Sequence, residues 1–141
     1  MPEFEWKRQY NLGISAIDTQ HQVIMDRFNS LYDAIAKGES KEVIVLLIED
    51  LMNYSQLHFH DEEELFQKTS YPKIDEQIRA HEYFRSRANA FHDAYLKDSM
   101  IDPLRIVQFL KDWIENHLMS LDMDYKEFME RVEALRKIAG Q

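Results

Sequence analysis

Residues 41–68 read KEVIVLLIEDLMNYSQLHFHDEEELFQK, a span in which apolar side chains recur every three or four residues. This recurrence places apolar side chains on one face of an α-helix. Ser40 precedes the span as a candidate N-cap, and Pro72 follows it as a helix breaker. The apolar positions of the face are Val43, Leu46, Leu47, Leu51, Tyr54, Leu57 and Leu65. The sequence therefore predicts a long helix over residues 41–68.

The same periodicity predicts three further helices, near residues 17–37, 73–96 and 103–137. Ser15 and Asp18 have the spacing of a capping box before the first of them, and Gly38 supplies its stop. Asp102 and Pro103 form an N-cap followed by proline at the first helical position. Residues 1–16 lack sustained helical periodicity and are predicted to form an extended arm, held on the bundle by aromatic groups.

The composition agrees with an all-α fold. The chain has 141 residues, of which 45% are hydrophobic and only three are Gly and three Pro. We therefore expect a single domain over residues 1–141. Four long helices with short connections favour an antiparallel up-down-up-down four-helix bundle, whose interior is a common place for metal sites.

Charge and composition exclude several function classes. A net charge of -9 is unfavourable for nucleic acid or an anionic membrane. The absence of Cys excludes thiolate zinc sites, cysteine-ligated iron–sulfur clusters and disulfides. The N-terminus lacks the apolar core of a signal peptide, and the longest aliphatic run, residues 43–48, is too short to span a bilayer. We expect a cytoplasmic protein.

Histidines and carboxylates recur at helical spacing on all four predicted helices. His58 and Glu62 are four residues apart, and Gln77 and His81 repeat that spacing. His117 and Asp122 are five residues apart, which separates them by about 140° around an ideal helix. The two side chains would therefore have to reach a shared metal centre from different directions. With His21 on the first helix, the candidate ligands are His21, His58, Glu62, His81, His117 and Asp122. His60 and His92 do not fit this pattern and are predicted to be peripheral.

A mixed imidazole and carboxylate set suits iron, although Mn or Zn could occupy the same ligands. Six protein ligands, two of them bridging, leave two octahedral ions unsaturated, so an exogenous ligand must complete the shell. Trp113, Leu118 and Met119 lie beside His117 and are predicted either to wall a ligand pocket or only to pack. Glu63 could contact one of the metal-ligating side chains from outside the centre. The rest of the acidic run at residues 61–64 is interpreted as a solvent-exposed face.

Several segments together resemble the hemerythrin family over nearly the whole chain. These segments are Gly13–Ile14, Ile17–Asp18, Gln20–His21, His58–Phe59, Glu62–Glu63, Tyr71–Pro72, His117–Leu118, Asp122 and Tyr125. The resemblance implies two iron ions with a bridging oxo or hydroxo group or water, and O2 binding at the iron with two His ligands. It implies that His21 and His58 ligate the O2-binding iron and that His81 and His117 ligate the second. Glu62 and Asp122 would bridge the two.

Gln77 stands where the family pattern has a fifth His ligand. It could coordinate weakly through its amide oxygen, hydrogen-bond a bound water or anion, or point away. Each outcome leaves the second iron less firmly held. The hypothesis is an exchangeable position on both irons, which makes the cluster more open to anions and oxidation.

Three functions are compatible with these residues. The first is an O2- or redox-sensing module, with a C-terminal output domain or an oligomer partner. Residues 128–141 remain amphipathic, and they either dock on the bundle or project toward such a partner. The second is a soluble O2 carrier or store. The third is a di-iron oxidase, peroxidase or nitric oxide reductase, for which we identify no dedicated acid, base or substrate pocket.

Overall fold

The computed structural model describes residues 11–98 and 100–140, apart from the side chains of Leu118 and Met119. Five α-helices and one π-helical segment account for almost all of these residues, and no strand occurs among them. The elements are α1 (Ser15–Ala36), α2 (Lys41–Lys68), α3 (Ile74–Lys97), α4 (Pro103–Asn116), a π-helical segment (His117–Leu121) and α5 (Asp122–Ala139).

The helices form the predicted antiparallel bundle. Each of α1, α2 and α3 packs on the next, and α4 packs on both α1 and α3, which closes the bundle. Its core is formed by the apolar faces of all four. The largest buried side chains of this core are Phe28, Phe59, Phe84, Tyr95 and Trp113. None of the described helices has both the length and the apolar character needed to cross a membrane.

Helix α2 begins and ends at the predicted residues because its caps are local. The Ser40 side chain accepts a hydrogen bond from the N–H of Val43. Likewise, Asp102 accepts from Leu104 at the start of α4. At the other end of α2, Ser70 adopts a positive φ of 55° and so interrupts the helix before Pro72.

The capping box predicted at Ser15 and Asp18 is wrong. Helix α1 begins at Ser15 itself, and its N-cap residue, Ile14, makes no side-chain cap. The Asp18 carboxylate instead reaches beyond the helix and accepts hydrogen bonds from the N–H groups of Leu12 (2.7 Å) and Gly13 (3.2 Å). It thereby fastens residues 12–13 to α1. The predicted arm at residues 1–10 lies outside the described part of the chain.

The helix predicted over residues 103–137 is present, but it is not α-helical throughout. After Asn116 the helix widens into one π-helical turn and then continues as α5 to Ala139. The N–H of Asp122 donates to the carbonyl of His117, five residues earlier, as a π-helix requires. A second apolar cluster around Phe66, Tyr71 and Tyr125 holds the first turns of α5 against α2. The wide turn therefore lies at the depth of the predicted metal ligands.

Candidate metal centre

All six predicted metal ligands converge inside the bundle. They come from α1, α2 and α3, from the first residue of the π-helical segment and from the first residue of α5. None is more than 3% exposed to solvent. The residues are His21, His58, Glu62, His81, His117 and Asp122. Ionisable groups are rarely buried so completely unless they are paired or bind a metal.

Glu62 occupies the middle of this cluster. Its Oε1 atom lies 2.8 Å from His58 Nε2, 3.3 Å from His81 Nε2 and 3.0 Å from His117 Nε2. Its Oε2 atom lies 3.9 Å from His21 Nε2. A single carboxylate thus approaches all four imidazoles, as a carboxylate between two metal ions would.

Asp122 is a second central carboxylate. Its Oδ2 atom lies 3.0 Å from His21 Nε2 and 3.1 Å from His117 Nε2. One donor atom from each of His21, His58, Glu62, His117 and Asp122 lies within 4.8 Å of the other four. His81 joins this group from α3 through its contact with Glu62.

The π-helical segment explains how His117 and Asp122 can share one centre. Residues five apart diverge by about 140° on an α-helix, whereas a π turn closes its hydrogen bond at that spacing. The segment therefore brings Asp122 onto the face that already carries Trp113 and His117. Sequence spacing alone left this point unexplained.

Gln77 is directed into the cluster and does not point away. It is 1% exposed, and its Nε2 donates a hydrogen bond of 3.1 Å to Asp122 Oδ1. Its Oε1 atom is buried without a hydrogen-bond partner among the described residues. The amide thus fixes one oxygen of the Asp122 carboxylate, while the other faces His21 and His117.

The pKa values of the buried groups are shifted in different directions. Burial raises the pKa values of Glu62 and Asp122, but the neighbouring imidazoles outweigh this effect and hold both below their usual range. Burial lowers the pKa of His58 despite the nearby Glu62. Burial also opposes the charge on His117, yet Asp122 and Glu62 raise the pKa of this imidazole to about 10.

The cluster fits a metal cation. Several of its buried polar atoms, among them Asp122 Oδ2 and His81 Nε2, make only ion-pair contacts of 3.0 to 3.3 Å and no well-oriented hydrogen bond within the described part of the chain. Leaving such atoms unpaired costs about 1–3 kcal/mol each. A cation bound by these nitrogens and oxygens would offset that cost. Imidazole and carboxylate without thiolate form a donor set that iron accepts.

Residues outside the cluster orient two of its imidazoles. The His58 Nδ1–H group donates to Gln20 Oε1 (2.9 Å), and Gln20 Nε2 donates to Asp61 Oδ2 (2.6 Å). This chain leaves His58 Nε2 free to act as a ligand. Glu63 Oε2 lies 3.5 Å from His81 Nδ1. Sequence reasoning assigned no role to Gln20 and placed Asp61 on a solvated face.

A small cavity of about 10 Å³ adjoins the cluster. Its lining is apolar apart from the imidazoles and consists of His21, Ile24, His58, Trp113, Ile114 and His117. The Trp113 ring stacks on His117 with ring centroids 4.5 Å apart. Ile24 and Ile114 were not singled out in the sequence. The side chains of Leu118 and Met119, two further predicted wall residues, lie outside the described part.

The other two histidines lie away from the cluster. His60 has a solvent-exposed side chain 3.5 Å from Glu64. His92 is on the distal part of α3, with its Nε2 2.9 Å from Glu49 and its Nδ1 3.2 Å from Asp93.

Comparison with known proteins likewise indicates a metal-binding domain. Residues 12–137 match the family described as the hemerythrin HHE cation binding domain. Bacteriohemerythrin of Pseudomonas aeruginosa is 30% identical over 126 residues, which cover 89% of this chain and 80% of that protein. Bacteriohemerythrin of Clostridium acetobutylicum is 26% identical over 129 residues, covering 86% and 98%.

The chain is also similar to a myohemerythrin and to a solved structure. Myohemerythrin of Theromyzon tessulatum is 26% identical over 127 residues, covering 89% of this chain and 94% of that protein. The crystal structure of wild-type hemerythrin has a TM-score of 0.81 and 23% identity, and it covers 89% of this chain and 96% of the other. The chain therefore belongs to the hemerythrin family of non-haem di-iron, O2-binding proteins, and its buried histidine and carboxylate cluster fits such a centre.

Proposed function

We propose that the six clustered residues hold the two iron ions and that the domain serves as an O2 or redox sensor. His21 and His58 would hold one ion, and His81 and His117 the other. Glu62 and Asp122 would lie between them. The observation that carries this assignment is the approach of one carboxylate, Glu62, to all four imidazoles.

When bound, the di-iron centre supplies the electrons and open coordination positions needed to take up O2 or a small anion. The protein supplies orientation and exclusion of water. Gln20 fixes the tautomer of His58, and the Trp113 ring restrains His117 by stacking. Ile24 and Ile114 keep the adjoining cavity apolar and small, which disfavours the entry of bulk water.

Gln77 favours a sensor over a long-term O2 store. Its amide nitrogen is engaged by Asp122, and it contributes no fifth imidazole to the centre. The ion beside His81 would therefore be held by fewer nitrogen ligands than the family pattern provides. A less saturated ion is more open to exogenous ligands, so we expect rapid conversion to the ferric state in air.

Helix α5 offers a path from the centre to an output domain or oligomer partner. Asp122 is both a proposed ligand and the first residue of α5. Near the other end of this helix, Leu135 is 66% exposed and Ile138 is 67% exposed. A change in the position of Asp122 would thus act directly on a helix whose final turns are free of the bundle core.

The test is the rate of oxidation of the reduced, iron-loaded protein in air, compared with that of Gln77→His. A histidine at this position restores the family's ligand pattern, so oxidation should slow by roughly tenfold. Gln67→His adds a histidine at an exposed position of α2 and is the control. Stopped-flow absorbance follows the reaction in all three proteins.

The carrier function is the second candidate, because the small apolar cavity beside the centre would limit the access of water and so slow oxidation. An oxygenated spectrum that lasts for hours in the wild type, and is unchanged in Gln77→His, would favour a carrier and contradict the sensor. Turnover of peroxide or nitric oxide by the wild type would instead favour the enzyme.

A further inference from the structure

Arg85 on α3 joins two residues of α2 beside the metal cluster. Its Nε–H group donates a hydrogen bond of 2.6 Å to Gln56 Oε1, and one of its terminal nitrogens lies 3.5 Å from Glu63 Oε2. The guanidinium carbon lies 5.5 Å from the centre of the Phe59 ring. Only 31% of the Arg85 side chain is exposed. These three contacts hold the guanidinium in one place between α2 and α3.

The same oxygen of Glu63 faces a proposed metal ligand. Glu63 Oε2 lies 3.5 Å from His81 Nδ1, a buried ring nitrogen that makes no hydrogen bond within the described part of the chain. Hydrogen bonds from N–H to O are about 2.7 to 3.2 Å long, so a small rotation of the Glu63 side chain would form one. A metal-binding imidazole almost always donates its second N–H to an acceptor, which fixes the ring and makes it a stronger ligand. Glu63 is the acceptor placed to do this for His81.

Glu63 needs a further contact to remain in this position. It lies at the edge of the cluster with 22% of its side chain exposed, so water competes for its carboxylate. Pairing with Arg85 draws the carboxylate toward α3, the helix that carries His81. Arginine suits this task because its donors are spread over a rigid plane and can contact Gln56 and Glu63 at once. A lysine would carry the same charge without this geometry.

We propose that Arg85 is a positioning residue for the metal centre, which holds the Glu63 carboxylate against the His81 imidazole. This inference rests on the proposed role of His81 as a ligand of the second ion. Gln77 contributes no imidazole to that ion, so its retention depends all the more on the orientation of His81. Arg85 thereby slows the loss of the ion without touching it.

The test is the rate at which a chelator removes iron from the loaded protein. Arg85→Gln should release iron about tenfold faster than the wild type. Arg85→Lys should also release it faster, because this variant keeps the charge but not the two contacts. Arg87→Gln is the matched control, since it removes an equal charge from α3, where the guanidinium lies over Phe91. It should leave the rate unchanged. Circular dichroism confirms that the variants are folded.

Glu63→Ala tests whether Arg85 acts through Glu63. It should speed iron release to a similar extent, and adding Arg85→Gln to it should have little further effect, because the contact that Arg85 maintains is already absent. Zinc accepts the same ligands and gives a diamagnetic protein, in which NMR detects the His81 Nδ1–H proton directly. This signal should be protected from exchange with water in the wild type and lost in both single variants.

Three outcomes would overturn the proposal. A wild-type rate of iron release in Arg85→Lys would mean that only charge matters. Equal acceleration by Arg85→Gln with and without Glu63 would mean that Arg85 acts on the packing of α2 against α3. An unchanged His81 proton signal in Arg85→Gln would mean that Glu63 needs no support.

His81→Ala separates the proposed ligands from the proposed positioning role. If this variant keeps both irons, the assignment of His81 as a ligand is wrong, and the role of Arg85 falls with it. If it loses iron while Arg85→Gln releases iron at the wild-type rate, only the positioning role is wrong.

Discussion

At the scale of single residues, Glu62 is the side chain on which the centre depends most. It is 1% exposed and lies within 4 Å of all four clustered imidazoles. Replacing it by Gln keeps the shape but removes the negative charge and one oxygen donor. We expect Glu62→Gln to retain less than about half of the wild-type iron. Iron analysis after desalting measures this.

The matched control is Glu64→Gln, on the same helix but exposed, with its carboxylate 3.5 Å from His60. It should retain the iron content of the wild type. Equal iron loss in both variants would show that general acidity, and not the position of Glu62, holds the metal.

His92 makes a separate, pH-dependent contribution to stability. Partial burial opposes the charged imidazole, but hydrogen bonds to Glu49 and Asp93 outweigh it and raise the pKa of His92 above 6.5. The stabilisation is therefore fully present below pH 6.5, the unfolded value, and is lost as pH rises through the folded pKa. His92→Gln should lower the free energy of unfolding by about 0.5 kcal/mol near pH 5.5.

Urea unfolding of the two proteins near pH 5.5 and near pH 8.5 measures this difference. The difference in stability should be close to zero at the higher pH, where the imidazole is neutral in both the folded and the unfolded protein. A loss of stability that is equal at the two pH values would mean that His92 acts only by packing.

The six clustered residues were predictable from the sequence because all four helices place a histidine or carboxylate at a matching depth. Gln20 and Asp61 were not, because their contact with His58 joins two helices and no spacing within one helix indicates it. The orientation of Gln77 was left open for the same reason. Its partner, Asp122, lies beyond the π turn.

At the scale of elements, the π-helical segment is the feature with the sharpest consequence. A π turn holds one more residue than an α turn, so deleting one residue lets the segment become α-helical without rotating α5. We expect deletion of the exposed Ser120 to leave the thermal midpoint within a few degrees of the wild type. The side chains of Asp122 and Tyr125 should remain on the side of α5 that faces the bundle interior. Circular dichroism during heating measures the midpoint.

Deletion of Asn53, an exposed residue in the regular part of α2, is the control. It rotates His58, Phe59 and Glu62 by about 100° and should abolish cooperative unfolding. If deletion of Ser120 is equally damaging, the segment does not act as a single inserted residue.

Helix boundaries were predictable where a local cap or break defines them, as Ser40 does for α2 and Asp102 for α4. The start of α1 was misplaced because Asp18 bonds to residues 12 and 13 and forms no box with Ser15. The π turn contains no Gly or Pro. Its cause is the burial of both His117 and Asp122, which is a property of the bundle and not of the local sequence.

At the scale of the whole molecule, the centre should couple metal binding to stability. Two ionised carboxylates and four imidazoles inside the bundle are costly to bury without a cation. Ligand bound at 1,000 times its dissociation constant stabilises by about 4 kcal/mol. Removal of iron with a chelator should therefore lower the melting temperature by roughly 10 to 15 °C. Glu62→Gln, treated alike, should show a much smaller change.

The all-α bundle was predicted correctly because four amphipathic faces separated by short connections allow few other arrangements. How much of α5 packs on the bundle was harder to predict from the sequence. Tyr125 fixes its start against Phe66 and Tyr71, whereas the exposure of Leu135 and Ile138 depends on where the helix leaves the bundle. Periodicity predicts an apolar face but not what covers it.

The most direct test of the central claim is iron content, together with the visible spectrum of the reduced protein before and after exposure to air. We expect about two irons per chain, as the family's di-iron centre requires. We also expect a spectrum that passes within minutes to that of a ferric form. A protein that takes up no iron when reconstituted anaerobically would contradict the proposed di-iron centre.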